Sequence, residues 1–285
     1  MSRKVIITCA LVGSATRKEQ NQAVPYTPAE VAEAAHEAYS AGAAMVHMHA
    51  REDDGQNSVR VERVKESYLA ISEKTPDLIV NLTSALGMGA TYEQRIGQIV
   101  EIKPEMASLN MATMNFAAVN RKTGDIIADY TFENSLEKVK EFSRLMYDAK
   151  VKPELECYSM AGLENYYYLE NTGYYTRPVN FNFVWGVCGG VSFRPGTFVD
   201  MVANLPADAN FTACGVGNQE WPAITQSIIC GGHVRVGLED NVRMPDGSIA
   251  RSNAALVSHA ANIIELLGHK VATPDEAREI LGIRS

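Results

Sequence analysis

The sequence predicts an α/β fold, a (β/α)8 TIM barrel that forms a single domain over residues 1–285. Three features predict it. Eight short apolar runs of strand length recur along the chain, helical patterns separate them, and 285 residues is close to the roughly 250 of such a barrel. An open doubly wound sheet shows the same alternation, so the count of eight strands, each followed by a helix, is what favours a closed barrel.

The eight predicted strands alternate with helices, as repeated β-α units around a parallel sheet do. They cover residues 5–9, 45–49, 78–82, 106–109, 152–157, 179–184, 210–214 and 233–236.

The predicted helices carry recognisable start and stop signals. Thr27 and Pro28, with Glu30 after them, form an N-cap pattern that opens the first helix, and Gly42 closes it. Further helices are predicted over residues 91–102, 132–149 and 252–267, and a last one over 273–281. The helix over 132–149 is long and amphipathic, and Gly268 after the helix over 252–267 is a typical C-terminal stop.

Composition excludes several classes of protein. Apolar residues make up 46% and charged residues 21%, which is typical of a globular chain. The net charge is −8, and Lys and Arg are scattered, so we expect neither nucleic acid nor membrane partners. Every apolar stretch is shorter than the roughly 18 residues of a membrane span, and no targeting segment is visible. We therefore expect a cytoplasmic protein.

The five cysteines are odd in number, widely spaced and free of any C-x-x-C pair. This pattern argues against a disulfide framework and against a structural zinc site. Most of them lie in or beside apolar strands, so we expect reduced, buried side chains rather than a catalytic nucleophile.

Residues 165–175 contain five tyrosines. They indicate either half-buried helix packing or a subunit interface, where tyrosine is enriched. The sequence does not decide between the two. The interface alternative predicts a homo-oligomer, with a tetramer as the expected assembly.

His47 and His49 lie two residues apart at the end of the second predicted strand. Side chains with this spacing on a strand point to the same side, which at the C-terminal end of a barrel strand faces the catalytic mouth. Two neutral imidazoles there can bind a divalent metal ion. The alternative is a pair of hydrogen-bonded core histidines. We favour the metal, because a barrel core prefers branched aliphatic side chains and each buried ring would need its own partner.

A third metal ligand is expected at the end of another strand, and the sequence offers several carboxylates. Glu239 and Asp240 follow the eighth predicted strand, and Glu156 ends the fifth. Spacing does not decide among them. Two histidines with one carboxylate bind zinc in many enzymes and iron in non-haem oxygenases, so the pattern also leaves the metal open.

Polar side chains gather at the predicted C-terminal strand ends, as in barrel active sites. They are Thr83, Ser84, Ser108, Asn110, Glu154, Glu156 and Arg235. A single serine such as Ser84 or Ser108 serves equally well as a cap or turn residue of the next helix. Glu156 and Arg235 point more strongly to a site, because a buried charge needs a partner and both strands open into the same mouth.

Glycine-rich segments 186–192 and 215–218 follow the sixth and seventh predicted strands. Their backbone amides are able to approach a phosphate or nucleotide-like group. Neither segment matches a P-loop or a dinucleotide fingerprint, and glycine turns after barrel strands are common, so the two segments permit such a site without indicating one.

Residues 5–10, 46–55, 103–110 and 231–241 resemble the corresponding motifs of the β-keto acid cleavage enzymes, and the likeness extends to residues 272–278. The resemblance implies a zinc-dependent barrel that condenses a β-keto acid with acetyl-CoA and cleaves the adduct to acetoacetate and a new acyl-CoA. The implied zinc ligands are His47, His49 and Glu239, with Asp240 as general base, Arg235 as its charged partner and Glu156 beside them. The implied substrate contacts are Thr83, Ser108 and Asn110, to which we add Ser84.

One position departs from the family pattern. In the 3-keto-5-aminohexanoate cleavage enzyme, a glutamate after the first strand receives the substrate's amino group, and Ala15 stands at the matching position here. Residues 11–16 contain no carboxylate. A cationic amine would lose a charge-assisted hydrogen bond of roughly 1.5–3 kcal/mol, so we expect an uncharged or weakly polar side group instead.

Two other functions fit the same residues. A metal-dependent aldolase or hydrolase on this barrel would use the metal and the base in the same way without CoA, so dependence on acetyl-CoA distinguishes it. A non-catalytic binding barrel would leave the histidines as core groups, and metal analysis would then find none. The convergence of so many polar groups on one face favours an enzyme.

Overall fold

Eight parallel strands close into a barrel in the computed structural model, which describes residues 2–120 and 122–283. Each strand is hydrogen-bonded to its sequence neighbours in the barrel, and the eighth pairs with the first. The predicted TIM barrel is confirmed. The prediction of one domain over residues 1–285 includes residues 1, 121, 284 and 285, which lie outside the described part, and it stays a prediction.

The barrel strands, numbered here β1 to β8, agree closely with the predicted ones. They are β1 (Ile7–Val12), β2 (Met45–Met48), β3 (Ile79–Leu82), β4 (Met106–Asn110), β5 (Lys152–Cys157), β6 (Asn180–Trp185), β7 (Asn210–Gly215) and β8 (His233–Val236).

One helix follows each barrel strand, and a further helix ends the described chain. They are α1 (Pro28–Ser40), α2 (Val61–Lys74), α3 (Tyr92–Ile102), α4 (Leu136–Ala149), α5 (Met160–Leu169), α6 (Pro195–Ala203), α7 (Glu220–Ile229), α8 (Asn253–Leu266) and α9 (Pro274–Leu281). Thr27 caps α1 together with Glu30 in the reciprocal pattern that the sequence predicts.

The N-terminal end of the barrel is closed by α9. Ala277 and Leu281 of this helix are buried against Ile6, Met45 and Met106 near the starts of the strands. The predicted first strand, residues 5–9, begins two residues too early, because Lys4–Val5 pairs with Lys270–Val271 beside α9 and not with the barrel. The barrel strand β1 begins only at Ile7. This end of the molecule is a packed core, which leaves the opposite end for a site.

A β-hairpin that the sequence analysis did not predict follows β4. Met114–Val119 and Ile126–Phe132 pair in antiparallel fashion, and we call them together the mouth hairpin. The predicted helix over 132–149 is therefore wrong at its start, since α4 begins at Leu136 after the N-cap Ser135. Phe132 instead ends the second strand of the mouth hairpin, where its side chain alternates with exposed neighbours in the pattern of a strand.

The cysteines and tyrosines divide between core and surface. Cys9, Cys157 and Cys214 are buried thiols, as expected, whereas Cys188 is exposed. Tyr166, in the tyrosine-rich segment, packs in the core, as the packing alternative predicts. Tyr168 of the same helix is 73% exposed, and the predicted subunit interface stays a prediction.

Within the described ranges, no helix combines the length and apolar character that crossing a membrane requires.

Candidate active site

Three side chains converge at the C-terminal end of the barrel. His47 lies near the end of β2 and His49 follows that strand, while Glu239 lies in the loop after β8. The Nε2 atoms of His47 and His49 lie 3.8 Å and 3.6 Å from Oε1 of Glu239. One ligand atom from each of the three residues lies within 4.8 Å of the others, so together they could hold a metal ion.

The geometry distinguishes the carboxylates that spacing left equivalent. Glu239 faces the two histidines, whereas the side chain of Asp240 turns to Arg235. The second oxygen of Glu239, Oε2, is buried and has no hydrogen-bond partner. Among the described residues, only His47, His49 and Glu239 form a group of three with metal-ligand spacing. The predicted ligand set is therefore brought together, and Glu156 lies outside it.

The protonation states of this group suit metal binding. Burial lowers the pKa of His47 to about 3, so its imidazole is neutral and carries a free lone pair. Burial alone would raise the pKa of Glu239, but the Arg235 guanidinium outweighs it and holds that pKa well below its usual range. Neutral imidazole and ionised carboxylate are the ligating forms of these side chains. Three protein ligands also leave a coordination position open, as catalytic zinc sites do.

Arg235 of β8 is the centre of the charged network beside the ligands. Its Nε donates to Oδ2 of Asp240 over 2.8 Å, and its Nη2 donates to Oδ1 of Asp240 over 3.0 Å. The same Nη2 donates to Oε1 of Glu239 over 2.6 Å, and Nη1 lies 3.5 Å from Oε1 of Glu156. Burial alone would lower the pKa of Arg235, but the neighbouring carboxylates raise it by more than burial lowers it. The guanidinium therefore stays charged.

Glu156 near the end of β5 has a raised pKa, in contrast to Glu239. Burial raises its pKa to about 8, against the opposing charge of Arg235. The hydroxyl of Tyr158, two residues further on, lies 3.5 Å from its Oε2. Glu156 is therefore a group that can carry a proton near neutral pH, next to a fixed cation.

A cavity of about 470 Å³ opens above the candidate metal ligands. Of the residues predicted to act on the substrate, Thr83 and Glu156 line it, as do all three candidate ligands. Arg235 and Asp240 do not line the cavity and lie directly behind Glu239.

Three of the predicted substrate contacts make hydrogen bonds within the protein. The hydroxyl of Ser108 accepts a hydrogen bond of 3.4 Å from the backbone N–H of Ser84, whose carbonyl accepts one of 2.8 Å from Arg95. Oδ1 of Asn110 accepts one of 3.0 Å from the backbone N–H of Ala112. None of Ser84, Ser108 and Asn110 lines the cavity. Their contact with the substrate stays a prediction.

The loop after β1 forms one wall of the cavity through Ser14, while Ala15 is exposed and is not among the lining residues. Arg51, fully buried, holds this loop: it donates to the carbonyl of Thr16 over 2.8 Å and to that of Gly13 over 2.9 Å. A Cβ atom at Gly13 would lie 2.4 Å from Cγ of Glu239. Only glycine therefore permits the loop to pass this close to the candidate ligand.

Sequence analysis missed the aromatic part of the cavity wall. Tyr158 and the mouth-hairpin residues Phe116, Tyr130 and Phe132 all line it. A signal for the hairpin is present in the sequence, since two alternating segments flank a turn that contains Asn120 and Gly124. The N–H of Gly124 donates to the carbonyl of Asn120 over 2.7 Å.

The chain is similar to known proteins both in sequence, which shows its family, and in fold. The profile of the family described as beta-keto acid cleavage enzyme matches residues 4–283. The 3-keto-5-aminohexanoate cleavage enzyme of Acetoanaerobium sticklandii is 41% identical over 280 residues, 98% of this chain and 98% of the relative. The 3-oxoadipate:acetyl-CoA acetyltransferase of Cupriavidus necator is 31% identical over 288 residues, 100% of this chain and 97% of the relative. The apo structure of ObcA has a TM-score of 0.77 at 20% identity; the match covers 91% of this chain and 65% of ObcA, just under two thirds of that protein, and supports the fold alone.

Proposed function

The chain belongs to the β-keto acid cleavage enzyme family, and from this premise we propose that it transfers an acyl group from a β-keto acid to CoA. In this reaction a β-keto acid and acetyl-CoA condense, and cleavage of the adduct yields acetoacetate and a new acyl-CoA. Acetyl-CoA is the co-substrate that the Cupriavidus necator relative carries in its name.

The observation that carries the proposal is the convergence of His47, His49 and Glu239 beside the Arg235–Asp240 pair. We propose that the three residues hold zinc, and their donor set fits that ion because it combines neutral imidazole with an ionised carboxylate. A bound zinc ion would supply Lewis-acid polarisation of the substrate's keto group. Thr83 and Ser14 would then border the acid as it lies in the cavity.

Asp240 is proposed as the general base that takes the α-proton of the β-keto acid, from the carbon between its keto and carboxylate groups. The carbanion attacks the thioester carbonyl of acetyl-CoA, and the CoA thiolate leaves. The thiolate then attacks the keto carbon, the bond from that carbon to the α-carbon breaks, and the released acetoacetate carbanion takes back the proton. Burial raises the pKa of Asp240, which makes its carboxylate a stronger proton acceptor, while Arg235 keeps it oriented through two hydrogen bonds. Glu156, which bears a proton near neutral pH and faces the cavity, is proposed to donate to an oxygen that becomes negative.

The loop after β1 limits which side group the substrate can carry. The relative from Acetoanaerobium sticklandii is named for a substrate with an amino group. Here residues 11–16 contain no carboxylate, and Ser14 is the member of this loop that reaches the cavity. A cationic amine would find no charged partner on this wall, a loss of roughly 1.5–3 kcal/mol. We therefore propose a substrate with an uncharged or weakly polar side group.

The test is acetoacetate release by the purified protein from acetyl-CoA and a panel of β-keto acids, with and without a chelator. Release that requires both acetyl-CoA and the metal supports the proposal. Release without acetyl-CoA would instead indicate a metal-dependent aldolase or hydrolase, and no release from zinc-loaded protein with any acid of the panel contradicts the proposed reaction.

A further inference from the structure

The mouth hairpin presents one aromatic face to the cavity. Phe116 and Tyr130 are directly paired across its two strands, with ring centroids 5.3 Å apart, and the ring of Phe132 lies 6.4 Å from that of Phe116. All three rings line the same cavity as His47 and His49. Successive side chains of a strand point to opposite faces, and Ile127, on the other face, is 73% exposed.

The mouth hairpin is fixed on both sides of the barrel opening. On the β3 side, Arg95 donates to the carbonyl of Glu133 over 2.9 Å and lies 4.9 Å from the centre of the Phe132 ring. On the β6 side, Ala117 forms a β-bridge with Cys188. A Cβ atom at Gly189 would lie 1.8 Å from the carbonyl oxygen of Asn115, so glycine is needed for this close approach. The aromatic face is therefore a wall of the site held in place by the fold.

The charged groups of the cavity belong to the candidate metal site and to the network around Arg235, not to the aromatic wall. The acids that line the cavity are Glu239 and Glu156, and the guanidinium of Arg235 contacts both. No Lys or Arg side chain is among the residues that line the cavity in the described part of the chain. A charged substrate group in contact with the three rings would thus lose water without gaining a counter-charge from them.

We infer that the mouth hairpin selects the substrate: Phe116, Tyr130 and Phe132 contact the group attached to the keto carbon of the β-keto acid, and this group is apolar, either alkyl or aryl. This inference rests on the proposed function and adds to it the part of the fold that chooses the acid. Ring contacts favour an apolar group because they remove its surface from water.

The experiment compares kcat/KM for matched β-keto acids whose side groups are alkyl, aryl, ammonium or carboxylate, with acetyl-CoA constant. The wild type should prefer the alkyl and aryl acids. Phe116→Ala and Tyr130→Ala should each lower kcat/KM for these acids by about tenfold or more, mainly through KM, with a smaller effect on the acid with the shortest side group. Phe116→Glu should raise kcat/KM for the ammonium acid relative to kcat/KM for the alkyl acid. Ile127→Ala, on the outer face of the same hairpin, should change none of these ratios.

Metal content and the thermal midpoint of each variant show whether it is folded. Two results would overturn the inference. The first is a wild type with a higher kcat/KM for a charged acid than for the alkyl and aryl acids. The second is that Phe116→Ala and Phe116→Glu are folded but, like Ile127→Ala, leave the kcat/KM ratios unchanged. In both cases the proposed reaction stands, because acetoacetate is still released. A wild type that releases none from any acid overturns the proposed function and this inference with it.

Discussion

Arg235 and Asp240 form a two-point ion pair, in which Nε lies 2.8 Å from Oδ2 and Nη2 lies 3.0 Å from Oδ1. The same Nη2 also reaches Oε1 of Glu239 over 2.6 Å. One guanidinium therefore orients both the proposed base and a candidate metal ligand. The two carboxylates are adjacent in sequence and nevertheless serve different partners, which makes separate tests of their roles practical.

Asp240→Asn keeps the shape of the side chain but removes the proton acceptor. We expect kcat for acetoacetate release to fall by about a hundredfold or more, the usual contribution of a general base. Zinc content, measured by atomic emission on the same preparation, should be unchanged. Loss of zinc would show that the roles of Glu239 and Asp240 are reversed.

Arg235→Gln removes the one cation that contacts three buried carboxylates. We expect the free energy of unfolding to fall by about 3–5 kcal/mol, because buried charges are left without a partner. Urea unfolding at pH 7 measures the change. Arg60 is the matched control, since its pair with Glu52 lies at the surface and Arg60→Gln should cost less than about 1 kcal/mol. Equal losses in the two variants would contradict the central position of Arg235.

The sequence predicted the strands and the convergence of His47 and His49 because both follow from a period of two along a buried strand. The choice between Glu239 and Asp240 did not follow, since both lie in a loop, where the direction of a side chain depends on contacts far apart in sequence. The backbone N–H of Glu239 donates to the carbonyl of Ala10, across the barrel seam. Spacing along the chain carries no information about such a contact.

The mouth hairpin was missed for a different reason. Phe132 stands four residues before Leu136, so an amphipathic helix pattern extends naturally back over it. The strand is decided instead by pairing, since Phe132 lies opposite Met114 and its ring packs against Arg95 of α3. These partners lie 18 and 37 positions away along the chain. The same contacts bring the aromatic residues to the cavity, which is why the sequence analysis contained the polar part of the site without its apolar wall.

Metal binding should be visible in the stability of the protein. If His49 is a ligand, zinc at a hundredfold excess over its dissociation constant should raise the free energy of unfolding of the wild type by about 2.7 kcal/mol. His49→Ala should abolish most of this increase. His36→Ala is the control, because His36 contacts Thr75 away from the site. A variant without His49 that gains as much from zinc as the wild type would place the metal elsewhere.

His233 at the start of β8 should make the protein sensitive to acid. Its Nδ1 accepts a hydrogen bond of 3.1 Å from the backbone N–H of Ile6, which requires a neutral ring. Burial lowers its pKa from 6.5 to about 3. Between these two values the unfolded chain binds a proton that the folded chain does not bind. Stability from this group is therefore complete above pH 6.5 and is lost as the pH falls toward 3.

We expect the His233→Asn variant not to lose this stability at acid pH. Its amide oxygen can still accept the hydrogen bond from the backbone N–H of Ile6, but it binds no proton. The difference in unfolding free energy between wild type and variant, measured with urea at pH 8 and pH 5, should shift by about 2 kcal/mol in favour of the variant at pH 5. Groups that titrate in both proteins cancel in this difference, so the shift reports on residue 233 alone. Parallel pH profiles would mean that the ring of His233 is protonated in the folded protein, and hence that Ile6 is not its donor in solution.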